Sequence, residues 1–117
     1  MRNTPLLKPD FMKNQYLHIL RQRKVINPSE IVMMKADINY CTIYLQNGEK
    51  IMIAKTLKIM ENLLDNQVFC RIHRSILINR RHILAYDSVL GEVLMTNNYK
   101  AFTSRRRKDT FDELMKD

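Results

Sequence analysis

The strongest constraint on the fold of this chain is a turn signal, Asn47-Gly48, that lies between two short runs of strand-forming residues. The run 40–45 alternates between apolar and polar side chains, and the run 49–54 can return beside it. Asn and Gly both tolerate the positive φ that a type I′ turn requires. The pattern therefore predicts an antiparallel hairpin with a type I′ turn at Asn47-Gly48.

The rest of the chain is also rich in short strand-like runs bounded by turn residues. Further strands are predicted at 16–20, 24–26, 31–35, 68–72, 75–78, 83–86, 92–95 and 99–102. The connections are predicted to include a loop at 36–39, a hairpin around Gly91, a tight turn at Asn97-Asn98 and single helical turns at 28–30 and 79–82. These runs predict a mainly antiparallel β fold.

Two helices are predicted from apolar spacing. In the first, the residues at i, i+3 and i+7 are Leu57, Met60 and Leu64. Thr56 precedes them as the N-cap of a helix over 56–64. In the final helix, which Ser104 caps, the apolar stripe consists of Phe111, Leu114 and Met115. At 117 residues, the strands and the two helices fit one domain.

Positive charge is concentrated in the second half of the chain, and this limits the partners that the chain can have. The formal net charge is +8. Residues 66–108 contain nine lysines and arginines against two acidic residues, which is +7 of that total. A surplus of this size points towards nucleic acid or an anionic membrane surface.

Two basic clusters carry most of this charge. The first, 69–83, holds four arginines and two histidines, and no acidic residue occurs between Asp65 and Asp87. The second, 104–108, puts four cations in the first turn of the final helix, where each is disfavoured by about 0.3–1 kcal/mol. An isolated basic cluster is more often a solvated surface. A second cluster at a helix N-terminus, where backbone N–H groups can hold a phosphate, favours a functional interpretation.

Other functional classes have no matching pattern. The three histidines lack metal-ligand spacing with Cys41 or Cys70, and the two glycines are too few for a phosphate-binding loop. No enzyme activity, cofactor, metal or small-molecule substrate is expected. No apolar run approaches the roughly 18 residues of a membrane span, and residues 1–14 lack a signal-peptide core. Lone buried thiols are favoured over a disulfide, and a cytoplasmic location is predicted.

Five motifs, in a fixed order, form the most specific signal in the chain. They are Lys35-Ala36-Asp37-Ile38-Asn39-Tyr40, Thr56-Leu57, Phe69-Cys70-Arg71-Ile72-His73-Arg74-Ser75, Ile78-Asn79-Arg80-Arg81-His82-Ile83 and Ser104-Arg105-Arg106. In this order and spacing the chain resembles the LytTR family of bacterial DNA-binding domains over residues 15–115. The resemblance implies an elongated stack of antiparallel sheets with about ten short strands and two short helices. It also implies a transcription regulator that inserts loops, not a recognition helix, into successive major grooves.

The resemblance also assigns DNA contacts, position by position. The base-reading positions are matched by Asn39, Arg74 and Arg106. An amide can pair bidentately with adenine, and an arginine suits O6 and N7 of guanine. Phosphate contacts are implied for Ser75, Ser104, Arg105 and Lys108, with Arg71 and Arg80 as weaker candidates. For His73, packing that fixes its loop is favoured over DNA contact, and for Asn79, capping of the following turn is favoured over DNA reading.

The domain organisation and the partners follow from the same resemblance. Residues 1–14 are predicted to be a flexible lead-in, and 15–117 the DNA-binding domain. Most family members carry a receiver domain before this module, so the chain is either a standalone regulator or a fragment of a longer one. The expected ligand is double-stranded DNA with tandem direct half-sites, and a membrane-bound inhibitor is a further candidate partner. The alternative is an RNA-binding module, although the aromatics grouped on one strand that base stacking needs are absent.

Overall fold

A computed structural model describes residues 17–19 and 24–116, which form ten strands and two α-helices. The strands are β1 (Leu17–Ile19), β2 (Lys24–Ile26), β3 (Ile31–Ala36), β4 (Cys41–Leu45), β5 (Lys50–Ile53), β6 (Phe69–His73), β7 (Ile76–Asn79), β8 (Ile83–Asp87), β9 (Glu92–Met95) and β10 (Lys100–Phe102). The helices are α1 (Leu57–Leu63) and α2 (Arg105–Met115). Single 3-10 turns occupy Pro28–Glu30 and Arg80–His82, and residues 96–98 form a tight turn between β9 and β10.

All strand pairs described are antiparallel and fall into three sheets. The largest sheet has the order β5-β4-β3-β7-β6, a second has β10-β9-β8, and β1 pairs with β2. The molecule is elongated, with principal extents of 49 × 29 × 24 Å. The predicted class, a mainly β stack of antiparallel sheets with two short helices, is confirmed.

The core has two parts because the five-stranded sheet is covered on both faces. One cluster contains Met34, Ile43 and Leu77 from the sheet, with Leu57 and Met60 from α1. The other joins the opposite face of this sheet to β9, β10 and α2. The central strand β3 is buried at all of its first four positions, 31–34, since it contributes side chains to both clusters. Each large apolar side chain buried here stabilises the fold by about 1.5–3 kcal/mol.

The helices begin where the sequence predicts. Thr56 accepts a hydrogen bond at Oγ1 from the N–H of Ile59 (3.2 Å), which caps α1. Ser104 Oγ accepts one from the N–H of Arg107 (3.2 Å), which caps α2. The predicted stripe of α2 is only partly correct. Phe111 is buried and Met115 packs against the second core cluster, but Leu114 is 37% exposed.

The two predicted tight turns have different outcomes. The β4–β5 hairpin forms, but positive φ occurs at Gly48 (93°) and not at Asn47, so the type I′ prediction is wrong. The connection is a three-residue loop: Leu45 O accepts from the N–H of Gly48 (3.0 Å), and Leu45 N–H donates to Glu49 O (2.9 Å). Both residues of the other turn have positive φ, Asn97 at 67° and Asn98 at 62°, as a type I′ turn requires.

Some predictions fall outside the described residues, namely the lead-in 1–14 and the segment 20–23 between β1 and β2. Within 17–19 and 24–116, no helix is long and apolar enough to cross a membrane. Both cysteines are free. Burial raises the pKa of the Cys41 thiol to about 11. Cys70 is only half-buried, and burial also raises the pKa of its thiol.

Candidate nucleic-acid interface

Three connections of the five-stranded sheet meet at one of its ends. Ala36, the last residue of β3, donates its N–H to the carbonyl of Ser75, just before β7 (2.8 Å). Cys41, the first residue of β4, pairs with Ala36 on one side and with Ile53, the last residue of β5, on the other. The β3–β4 loop, the β6–β7 turn and the β5–α1 junction therefore lie side by side.

The start of α2 joins this end of the sheet through hydrogen bonds to the backbone carbonyls of β6. The N–H of Ser104 donates to the carbonyl of Ile72 in β6 (2.8 Å). One turn later, Nη1 of Arg107 donates to the carbonyl of Arg71 (3.4 Å). We call the surface formed by residues 37–40, 54–56, 74–75 and 104–106 the loop end. It brings together all three predicted base-reading residues from segments far apart in the sequence.

The β3–β4 loop is closed by its own backbone and leaves Asn39 outside. The N–H of Asp37 donates to Tyr40 O (2.7 Å), and Asp37 Oδ1 accepts from the N–H of Ile38 (2.8 Å). Asn39 is exposed, and Ile38 is 92% exposed. The loop therefore presents the side chains of Ile38 and Asn39 beyond the end of the sheet.

The β6–β7 turn contains only two residues, Arg74 and Ser75, between the paired His73 and Ile76. Arg74 is exposed and Ser75 half-buried. His73 Nδ1 accepts from the N–H of Ser75 (3.1 Å) and lies 2.9 Å from its Oγ. His73 therefore fixes the turn, as predicted.

Arg71 supports the same turn from inside. Its Nε donates to His73 O (3.0 Å), and its Nη2 donates to Arg74 O. Its Nη1 forms an ion pair with Oε1 of Glu61 in α1 (2.8 Å). The Arg71 side chain is 15% exposed. It is thus held by three protein acceptors on three different nitrogen atoms.

The first turn of α2 presents its cations in two directions. Arg105 and Arg106 are exposed, whereas Arg107 and Lys108 are half-buried, as the helical spacing from Phe111 predicts. Ser104 is half-buried beneath them. The free N–H groups at this helix terminus, together with two exposed guanidinium groups, make a favourable place for an anion.

Lys108 belongs to a small network on the side of α2. Its Nζ lies 2.8 Å from Oδ2 of Asp112, and Tyr86 of β8 donates its hydroxyl to Oδ1 of the same carboxylate. The hydrogen bonds from Lys108 and Tyr86 lower the pKa of Asp112. Burial and the Asp112 hydrogen bond raise the pKa of Tyr86 to about 12. The network fastens α2 to β8 and partly neutralises Lys108.

Arg80 is separated from the loop end. It follows β7 at the opposite end of the sheet, about 16 Å from the β6–β7 turn at about 3.3 Å per strand residue. Its Nη1 donates to Gln67 O (3.1 Å). The preceding Asn79 is buried, and its Oδ1 accepts from the N–H of Arg81 (2.9 Å), so it caps the 3-10 turn as predicted. Phosphate contact by Arg80 stays a prediction.

One exposed cation at the loop end was not predicted from the sequence. Lys55 lies in the β5–α1 junction, two residues after Ile53, and is exposed. Only the sheet order places it beside the β3–β4 loop, because β5 pairs with β4 in the register Cys41 to Ile53. The predicted β4–β5 hairpin was the one sequence signal for this position, since it pairs the end of β5 with the start of β4. Among the described residues, no three His, Cys, Asp or Glu side chains are grouped to hold a metal ion.

Comparisons with known proteins identify the fold and the family. The family model of the LytTr DNA-binding domain matches residues 21–116. Among solved structures, the LytTr DNA-binding domain of a protein described as a methyl-accepting/DNA response regulator from Bacillus cereus is similar, with a TM-score of 0.72 and 21% identity. The match covers 86% of this chain and 94% of that one. No curated protein sequence matches the chain. The likeness to the solved structure shows the fold, and the family match shows that the chain belongs to the LytTR family of DNA-binding domains.

Proposed function

We propose that this chain binds double-stranded DNA in a sequence-specific manner and acts in transcription regulation. The observation that carries the proposal is the loop end, where exposed Asn39, Arg74 and Arg106 come together from three distant segments. The net charge of +8 favours a polyanion as the ligand. Membership of a family of DNA-binding domains supports DNA as that polyanion.

The three exposed side chains supply the groups that base reading needs. The Asn39 amide suits N6 and N7 of adenine, and the guanidinium groups of Arg74 and Arg106 suit O6 and N7 of guanine. We propose that they enter the major groove, since only there does each base pair present its own pattern of donors and acceptors. The β6–β7 turn has only two residues between its strands, so its Arg74 side chain can extend into a groove about 12 Å wide.

Phosphate anchoring is proposed for the groups that surround these three. Ser104 and Arg105 lie at the N-terminus of α2, where backbone N–H groups and the helix dipole favour a phosphate. Ser75 lies beside Arg74 in the turn, and Lys55 extends the cationic surface towards β5. Lys108 contributes less to this attraction because Asp112 already pairs with its ammonium group.

The arrangement on DNA is a further part of the proposal. The buried residues of α1 and α2 face the core of their own chain, so neither helix is left with a long apolar face for a dimer. We propose a monomer in solution, with one copy on each of two direct half-sites. Light scattering at micromolar concentration should therefore give the mass of a monomer, and a stable dimer would contradict this arrangement. A receiver domain in a longer parent chain, or a membrane-bound inhibitor, is suggested by the family pattern alone.

The experiment that tests the function is selection of bound duplexes from a random pool, followed by competition. The selected duplex should be bound much more tightly than a scrambled duplex, single-stranded RNA of the same sequence, or anionic vesicles at physiological salt. Equal affinity for the selected and scrambled duplexes would refute sequence-specific binding. Tighter binding to the RNA would favour the alternative RNA-binding function.

A further inference from the structure

We infer that Arg71 is a positioning residue for base reading: its guanidinium holds the β6–β7 turn in the conformation that presents Arg74 to DNA. The inference rests on the proposed function and deepens it. Arg71 then contributes to specificity, whereas the family resemblance implied, more weakly, that it contacts a DNA phosphate.

The first argument is the set of contacts that Arg71 makes. Two of its nitrogen atoms donate to consecutive carbonyls of the turn, those of His73 and Arg74. The third nitrogen pairs with Glu61, so the guanidinium is itself anchored on α1. A planar fork held at three points fixes the orientation of both peptide groups. Because Arg71 binds the carbonyl of Arg74, the backbone from which the Arg74 side chain extends is held in place.

The second argument is the type of turn. Two-residue hairpin loops favour types I′ and II′, which need positive φ at one or both central residues. Within the part of the chain that the structure describes, the only non-glycine residues with positive φ are Asn97 and Asn98, so Arg74 and Ser75 adopt neither type. The register also shifts between Arg71 and His73. A turn that lacks the favoured geometry depends on side-chain bonds for its shape, and Arg71 and His73 provide them.

Arg71 is also poorly placed to bind phosphate. Its side chain is only 15% exposed, and the carboxylate of Glu61 lies 2.8 Å from its Nη1. A phosphate would have to displace that carboxylate or a turn carbonyl. Arg74, Arg105 and Arg106 are exposed, and no carboxylate among residues 17–19 and 24–116 forms an ion pair with them.

The test compares Arg71→Lys with Arg81→Lys. Lysine keeps the charge, but one ammonium group cannot reproduce a planar fork to three acceptors. For Arg71→Lys we expect affinity for the selected duplex to fall about five- to tenfold, with discrimination lost at the base pair read by Arg74. Affinity for scrambled DNA and the dependence on salt should not change. Arg81→Lys, a charge-conserving change at an exposed site in the 3-10 turn at the opposite end of the sheet, should leave both affinities close to those of the wild type.

Two further variants separate positioning from general damage to the fold. Glu61→Gln keeps Arg71 and its carbonyl contacts but removes the opposite charge, so it should give the same pattern with a smaller loss. In an Arg74→Ala background, Arg71→Lys should have no further effect on the selected duplex, since the side chain it positions is gone. Urea denaturation of each variant measures whether the fold is retained.

The outcomes are distinct. Equal loss on selected and scrambled DNA, with a flatter salt dependence, would show that Arg71 binds phosphate and would overturn the inference. The inference would also be overturned if the affinity losses of Arg71→Lys and Arg74→Ala added fully in the double variant. Unchanged discrimination between base pairs in both Arg71→Lys and Glu61→Gln would have the same consequence. If Arg71→Lys does not fold, Glu61→Gln decides. If the wild-type protein itself shows no preference for the selected duplex, the proposed function fails, which is a separate result.

Discussion

The junction between the β8–β9 hairpin and α2 gives a stability prediction whose size follows from the geometry. Gly91 has φ 69°, and its carbonyl accepts from the N–H of Thr103 (2.9 Å), the residue before the cap of α2. A Cβ added at Gly91 would lie 2.5 Å from Thr103 Oγ1. Gly48 has φ 93°, but an added Cβ there would meet nothing within 4 Å. The two glycines therefore form a matched pair.

Both Gly→Ala changes place an L side chain at positive φ, which costs about 1–2 kcal/mol. Gly91→Ala also forces Thr103 to move and disturbs its hydroxyl, which lies 3.4 Å from Gly91 O. Crowding of this kind adds about 1–3 kcal/mol. We therefore expect Gly48→Ala to lower the free energy of unfolding by about 1–2 kcal/mol, and Gly91→Ala by about 2–5 kcal/mol.

The assay is urea denaturation of the two single variants, Thr103→Ala, and the double variant Gly91→Ala/Thr103→Ala. Removing the hydroxyl should relieve the contact, so the double variant should be more stable than the sum of the single changes predicts. Equal losses for Gly91→Ala and Gly48→Ala, or strict additivity in the double variant, would refute the steric argument.

Three further predictions concern charge and titration. If about six phosphates are neutralised, a plot of log affinity against log salt concentration should have a slope near −5. Arg105→Ala should make this slope shallower by about one unit. A wild-type slope shallower than about −2 would show that the two basic clusters lie outside the interface. Burial raises the pKa of the Cys41 thiol to about 11, so iodoacetamide at neutral pH should label it only after unfolding, and mass spectrometry showing rapid labelling of the native protein would contradict this. Burial and Asp112 raise the pKa of Tyr86 to about 12, so its contribution to stability should be complete below its ordinary pKa near 10 and lost as pH rises through about 12. The free energy of unfolding of Tyr86→Phe should depend less on pH in that range, and an unchanged profile would argue against the link.

Local features of this fold could be predicted from the sequence. The caps at Thr56 and Ser104 depend on a hydroxyl and the next few residues, so the sequence shows them directly. The type of the β4–β5 turn could not be predicted, because Asn-Gly suits several loops and strand register decides among them. In that hairpin Gln46 joins the loop and only Gly48 takes positive φ.

Partners that lie far along the chain, or that are backbone carbonyls, could not be predicted for the charged residues. The sequence groups Arg71 with the other arginines. In the structure its guanidinium is bound by Glu61 of α1, ten residues away, and by two carbonyls of the β6–β7 turn. Lys108 has its acid four residues along the same helix, and that spacing could have indicated the ion pair. Lys55 joins the loop end only through the order of the strands.

The most direct test of the central claim measures base discrimination at the loop end. Affinities of wild-type, Arg74→Ala, Arg106→Ala and Asn39→Ala proteins would be measured on the selected duplex and on duplexes that differ from it at one base pair. Each variant should lose about 1–3 kcal/mol on the selected duplex and stop discriminating at one base pair, a G·C pair for the arginines and an A·T pair for Asn39. Thermal midpoints should hardly change, because all three side chains are exposed. If the variants keep the wild-type ratio of selected to substituted affinities, or lose binding only as they lose folding, these residues do not read bases.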